Sequence, residues 1–96
     1  MSQTLSESAI NKELSLISDS INTYLMQGDE QKVYSICKNG INFLLNNDMF
    51  STPASCAFCL QAGESCMNLQ DYSNAKFYYY NSFILDEWYG FGIEAY

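Results

Sequence analysis

Cysteine is the residue of this chain with the most versatile chemistry, and two of its four cysteines form the motif Cys56-x-x-Cys59. Such a pair is found in zinc sites and in redox-active dithiols. Zinc usually takes four ligands, and only Cys37 and Cys66 remain to complete a site, since the chain has no histidine. A redox pair normally follows a strand, and the sequence predicts none before Cys56. We expect buried thiols and no bound metal, with zinc and redox or disulfide chemistry as the alternatives.

The other polar residues do not form a catalytic set. Without histidine the chain lacks the base of a Ser–His or Cys–His pair, and it contains no glycine-rich phosphate loop. Carboxylates such as Asp29 and Asp86 fall where helices are expected to meet, so capping explains them. The aromatic run 77–80 fits packing against a neighbouring helix better than base stacking. We therefore predict that the protein is not an enzyme, has no catalytic residue and needs no cofactor.

Charge and hydropathy narrow the classes of partner. The 96 residues include 11 acidic side chains, four lysines and no arginine, which gives a net charge of −7 at pH 7. This charge disfavours nucleic acid and anionic membrane surfaces. No apolar run approaches the roughly 20 residues of a membrane span, and residues 1–11 lack the pattern of a secretory signal. We expect a cytoplasmic protein, whose acidic surface would either attract a basic or amphipathic protein partner or simply confer solubility.

Any binding surface must be positioned by helices, because apolar residues recur with the period of an α-helix and no segment alternates as a strand would. A first helix is predicted to start at Ser6 or Ser8 and to end at Gly28, a residue suited to a left-handed cap. A second begins directly at Asp29 and ends near 46–48. The short connection makes these two helices antiparallel neighbours.

A looser segment, 46–53, is predicted to separate this pair from the next. A third helix is expected over 54–69, and a fourth begins near Asp71 or Ser73. The final segment, 87–96, is expected to begin a fifth helix. The predicted fold class is therefore all-α, built from antiparallel helix pairs in one domain.

The segment 56–87 carries the signature of a repeated helix pair, at Gly63, Asp71, Tyr72, Ala75, Tyr79, Ser82, Leu85 and Asp86. This pattern resembles the tetratricopeptide repeat, a helix pair that stacks into a short right-handed α-solenoid. Gly63 and Ala75 then let two helices touch, and Tyr79 fills the space beside them. Ser82 is expected to give room for the next helix.

Weaker copies flank this repeat. Residues 14–47 resemble a degenerate first copy, with Gly28 at the turn glycine and Gly40 at a small packing position. Residues 88–96 would begin a third, which gives about two and a half repeats. The clear repeat departs from the pattern at Gln70, which stands where a turn glycine is usual.

The resemblance also implies where a partner lies, because the first helix of each tetratricopeptide pair lines a concave face. The implied groove residues are Asn22, Leu25 and Met26 in the first helix, Ala57, Leu60, Glu64, Met67 and Asn68 in the third, and Phe91 in the partial repeat. Methionine adapts readily to amphipathic helices. The alternative for the methionines is packing against the neighbouring helix.

The run 67–72 and the later Trp88 and Glu94 resemble the small type III secretion chaperones that hold the needle subunit. That resemblance implies a cytoplasmic chaperone whose groove holds an amphipathic helix of the needle subunit and prevents premature polymerisation. It further implies a heteromeric complex with a second small helical co-chaperone. A chaperone for the translocator proteins of the same systems, and a scaffold subunit of another protein assembly, are the alternatives.

Overall fold

Four α-helices make up the fold of residues 6–89, the part of the chain that the computed structural model describes. They are α1 (Glu7–Gln27), α2 (Glu30–Asn46), α3 (Pro53–Asn68) and α4 (Tyr72–Tyr89), and this described range contains no strand. The all-α prediction is confirmed. Phe91 and the rest of the predicted partial repeat after residue 89 lie outside the described residues. None of the four described helices is long and apolar enough to cross a membrane.

Side-chain caps fix the starts of the first two helices. The Ser6 hydroxyl accepts a hydrogen bond from the backbone N–H of Ala9 at 3.2 Å, so Ser6 rather than Ser8 caps α1. The Asp29 carboxylate accepts from the backbone N–H of Lys32 at 3.2 Å and caps α2. Both caps satisfy backbone N–H groups that have no partner within the helix.

The α1–α2 and α3–α4 turns share one backbone geometry. Gly28 and Gln70 both adopt the left-handed conformation, with φ of +71° and +62°. In each turn the N–H of that residue bonds the carbonyl three residues earlier, and the next N–H bonds the carbonyl five residues earlier. Gln70 thus adopts the left-handed conformation that usually requires glycine, and its Cβ atom makes this backbone conformation strained. The two turns are 42 residues apart, so the helix pairs correspond at this point.

Helix α3 packs against a small residue of α2 on one side and a small residue of α4 on the other. A Cβ atom on Gly40 would lie 2.8 Å from the Phe58 ring, closer than real Cβ contacts. On the other side, the buried Ser82 hydroxyl donates to the Cys56 carbonyl at 3.0 Å. The sequence predicts that Ser82 makes room for a following helix, whereas the structure shows it packed against α3 of its own pair.

The contact predicted inside the α3–α4 pair is confirmed. A Cβ atom on Gly63 would lie 2.9 Å from the Tyr79 ring, and Ala75 is buried. The packing prediction for Tyr72 is wrong, because 59% of its surface is exposed. Tyr72 is the first residue of α4, where the chain has only just left the turn.

The predicted boundary between the second and third repeats is also wrong. We expected a junction at Asp86 and Glu87, but α4 continues through both residues to Tyr89. Glutamate is a good helix former, and no proline or glycine interrupts the chain before Gly90. The clear helix pair is therefore longer at this end than the repeat pattern requires.

Successive helices run in opposite directions. Cys56 contacts Ser82 whereas the later Gly63 contacts Tyr79, so α3 and α4 are antiparallel. Gly40 meets Phe58 across α2 and α3, and the earlier Glu30 bonds Asn68, so these two helices are antiparallel as well. Among the four described helices, backbones approach closely only between sequence neighbours. As a result α1 and α3 run parallel on the same side of α2, with a gap between them.

Candidate functional site: a groove between two parallel helices

The central helix α3 leaves one stripe of its surface to solvent. Its other sides are buried against α2 and α4 through Ser55, Cys56, Phe58, Cys59, Ala62, Gly63, Ser65 and Cys66. The stripe that remains contains every α3 residue predicted to line the groove: Ala57, Glu64, Met67 and Asn68 are exposed and Leu60 is half-buried. These five residues are therefore accessible on α3, whereas their binding of a partner stays a prediction.

An open groove of about 170 Å³ separates α1 from α3. Its lining consists of Ser18, Ile21, Asn22 and Leu25 from α1 with Ala57, Phe58 and Gln61 from α3. Ile21 and Phe58 are buried and form an apolar floor. Three predicted residues, Asn22, Leu25 and Ala57, are thus brought together in the lining.

The remaining described members of the predicted set lie outside this lining, on the surrounding surface. Met26 is 89% exposed and Met67 is 45% exposed. Packing of Met26 against a neighbouring helix, the alternative considered from the sequence, is therefore wrong. Sequence reasoning missed Phe58 and Gln61. The signal available for Phe58 was Gly40, since a small residue on one helix indicates a large one facing it.

A hydrogen bond outside the groove lining joins α3 to α2. The Asn68 side-chain amide donates to Glu30 Oε2 at 3.1 Å and ties the end of α3 to the start of α2. The second oxygen, Oε1, is buried and has no hydrogen-bond donor among the described residues. Glu30 lies in the first turn of α2, where the helix dipole stabilises negative charge. The start of α2 is consequently acidic.

Two lysines of α2 are engaged with aromatic rings. Lys32 Nζ lies 5.0 Å from the centroid of the Tyr24 ring, and Lys38 Nζ lies 4.5 Å from that of Tyr34. Both distances allow a cation–π interaction. Helix α3 contains no lysine, and its one charged residue is Glu64. The lining that α3 contributes is therefore uncharged, and its only charged side chain lies outside that lining.

The aromatic run on α4 divides between core and surface. Tyr78 packs edge-on against Tyr34 of α2 with ring centroids 5.8 Å apart, and Tyr79 packs on Gly63. Burial raises the pKa of Tyr34, and a hydrogen bond with Tyr78 raises it further. Phe77 and Tyr80 are exposed. The packing prediction for this run is thus confirmed for its two middle residues.

All four cysteines are buried and unpaired, which agrees with the expectation of core thiols. The Cys56 thiol lies 3.3 Å from the Ser82 carbonyl, within reach of a weak hydrogen bond. Burial, with the nearby thiols adding to it, raises the pKa of Cys37 and of Cys59 to about 12. Within residues 6–89, no group of three or more potential ligands is placed to hold a metal ion.

Alkaline pH is expected to destabilise the fold through these thiols. In the unfolded chain each thiol ionises near pH 9, whereas folded Cys37 and Cys59 ionise at about pH 12. Between these values only the unfolded state loses protons, so the free energy of unfolding falls as pH rises; below pH 9 the contribution is fully present. We expect a loss of about 1 kcal/mol per thiol between about pH 9 and pH 10.

Urea unfolding at the two pH values measures this loss. The double variant Cys37→Val and Cys59→Val removes both ionisable groups, and its stability should depend less on pH. An equal dependence in the two proteins would show that the thiols do not cause it.

Comparison with known proteins gave no match to a family model, to a curated protein or to a solved structure. The chemistry of the groove follows from its own residues. An apolar floor between walls of serine, asparagine and glutamine is suited to noncovalent contact with apolar side chains.

Proposed function

We propose that the protein binds an amphipathic helix of another polypeptide in the groove between α1 and α3. The observation that carries this proposal is the groove itself, whose lining contains the buried Ile21 and Phe58 and the exposed Leu25, while Met26 and Met67 are exposed elsewhere on the same two helices. Exposed apolar side chains beside a groove are typical of surfaces that accept the apolar face of a helix. The methionines suit this role because their unbranched side chains adapt to different partners.

The arrangement of the helices supports the same proposal. Since α1 and α3 both pack on α2 but their backbones stay apart, the gap between them is open to solvent along one side. A partner helix laid in this gap would cover Leu25 and Ala57 on opposite walls and contact the floor. It would then occupy the concave face that the repeat pattern implies.

For the partner we propose the needle subunit of a type III secretion system, held in the cytoplasm before assembly. This choice rests on the resemblance of the run 67–72 to the needle-subunit chaperones. The protein would cover the amphipathic helix through which the subunit polymerises. A second small helical co-chaperone would complete the complex.

Site-specific photo-crosslinking tests this proposal. A photoreactive amino acid is placed at Asn22 or Ala57, which are exposed on the two groove walls, and the variant is co-expressed with the needle subunit. Ser35, exposed on α2 outside the groove lining, is the matched control position. We expect crosslinks to the subunit from both groove positions and none from the control. Crosslinks from Ser35 alone, or from no position, would contradict the proposal.

A further inference from the structure

We infer that the groove selects helices that carry lysine or arginine beside their apolar stripe. This inference rests on the proposed function, since it concerns the occupant of the same groove. It is drawn from the distribution of charge around the lining, which has carboxylates nearby and lacks cations of its own.

Three carboxylates lie outside the lining on the helices that border it or at their ends. Glu64 is exposed on the solvent stripe of α3, one turn beyond the lining residue Gln61. Asp19 is exposed on α1 between the lining residues Ser18 and Asn22. At the start of α2, Glu30 is tied to α3 through Asn68. A helix in the groove would therefore have the exposed Asp19 and Glu64 beside it on α1 and α3.

The cations that might neutralise these groups are placed elsewhere. Lys32 and Lys38 belong to α2 and lie over tyrosine rings, and Lys76 belongs to α4. The remaining lysine, Lys12, lies in the first half of α1, before the lining begins at Ser18. The lining thus contains no cation, and the chain as a whole carries a net charge of −7, so the surroundings of the groove are expected to be negative.

This negative charge favours one chemical class of occupant. A basic side chain beside the apolar stripe of the partner would meet Glu64 or Asp19 at the rim, whereas an acidic one would be repelled. Both carboxylates are exposed, so salt should screen the preference. We expect a gain in affinity of about tenfold at low salt for a peptide with several lysines, because single exposed pairs contribute little.

Two synthetic peptides test the inference. Each has about 18 residues, or five helical turns, with the same leucine and methionine stripe. One carries lysines beside the stripe and the other carries glutamines at the same positions. Fluorescence anisotropy at about 20 mM and about 300 mM salt should show both peptides binding, with the lysine peptide favoured about tenfold only at the lower salt.

Variants of the protein locate the effect. Glu64→Gln together with Asp19→Asn should remove most of the preference for lysine, whereas Glu87→Gln, an exposed carboxylate of α4, should preserve it. Equal affinity of the two peptides would overturn this inference and leave the proposed function standing. Failure of both peptides to bind would overturn both. A preference that survives the groove substitutions and disappears with Glu87→Gln would place the selective surface on α4.

Discussion

Gly63→Leu should destabilise the protein by about 1 kcal/mol, although leucine is the better helix former. The gain in helix propensity is about 0.8 kcal/mol. A steric clash opposes this gain, since even a Cβ atom at Gly63 would lie 2.9 Å from the Tyr79 ring. The clash includes the ring atom nearest the backbone, since Tyr79 Cγ would lie 3.2 Å from that Cβ, so it is not confined to the flexible end of the side chain. Overpacking of this kind costs about 1–3 kcal/mol and sometimes more.

Urea unfolding followed by circular dichroism measures this effect. Adding Tyr79→Ala to the Gly63→Leu variant should recover part of the loss, because the smaller side chain frees the space that leucine needs. A double-mutant cycle of the two substitutions then gives the coupling between them. If Gly63→Leu stabilised the protein, the close contact between α3 and α4 would be refuted.

Leu60→Asn combined with Met67→Asn should weaken binding of the partner helix by about 100-fold. Burying an apolar side chain contributes about 1.5–3 kcal/mol when burial is complete, and Leu60 and Met67 are only partly covered without a partner. Asparagine leaves the charge of the groove unchanged, so the loss reports apolar contact alone. Both residues lie on the solvent stripe of α3, so helix content should stay the same.

Titration calorimetry with the needle-subunit helix measures the loss. The control is Leu45→Asn with Phe77→Asn, which removes two exposed apolar residues from the α2–α4 side of the protein. We expect the control variant to bind as the native protein does. The opposite outcome, with binding lost only in the control, would move the binding site to the α2–α4 side.

The helix ends were predictable because capping depends on neighbouring residues. The close contact between α3 and α4 was predictable because its two residues belong to one helix pair. The hydrogen bonds that cap the helices join groups no more than five residues apart in the chain, at Ser6, Gly28 and Asp29. The local sequence therefore indicates the capping role of these residues. Gly63 and Tyr79 belong to one helix pair joined by a short turn. Their contact therefore follows from the spacing of the repeat.

The floor of the groove was not predictable in the same way. The repeat pattern predicts that α1 and α3 line a common face, but it assigns neither Ile21 nor Phe58 to the groove. Both residues line it because the backbones of α1 and α3 stay apart. The end of α4 was missed for another reason. A repeat pattern predicts where the next helix pair should start. A helix, however, ends only where the residues no longer favour a helical backbone. Neither Asp86 nor Glu87 ends α4, which continues to Tyr89.

The order of the helices has a consequence for folding. Each close backbone contact joins neighbours along the chain, α1 with α2, α2 with α3 and α3 with α4, so no long loop must close before the structure gains stability. Such a topology belongs with the fast-folding helical domains, and it allows α1 to detach without disturbing α3 and α4. A helix bound between α1 and α3 would add the first link between non-neighbouring elements. The bound helix would contact both α1 and α3, so the stability of α1 would become coupled to that of the remaining helices.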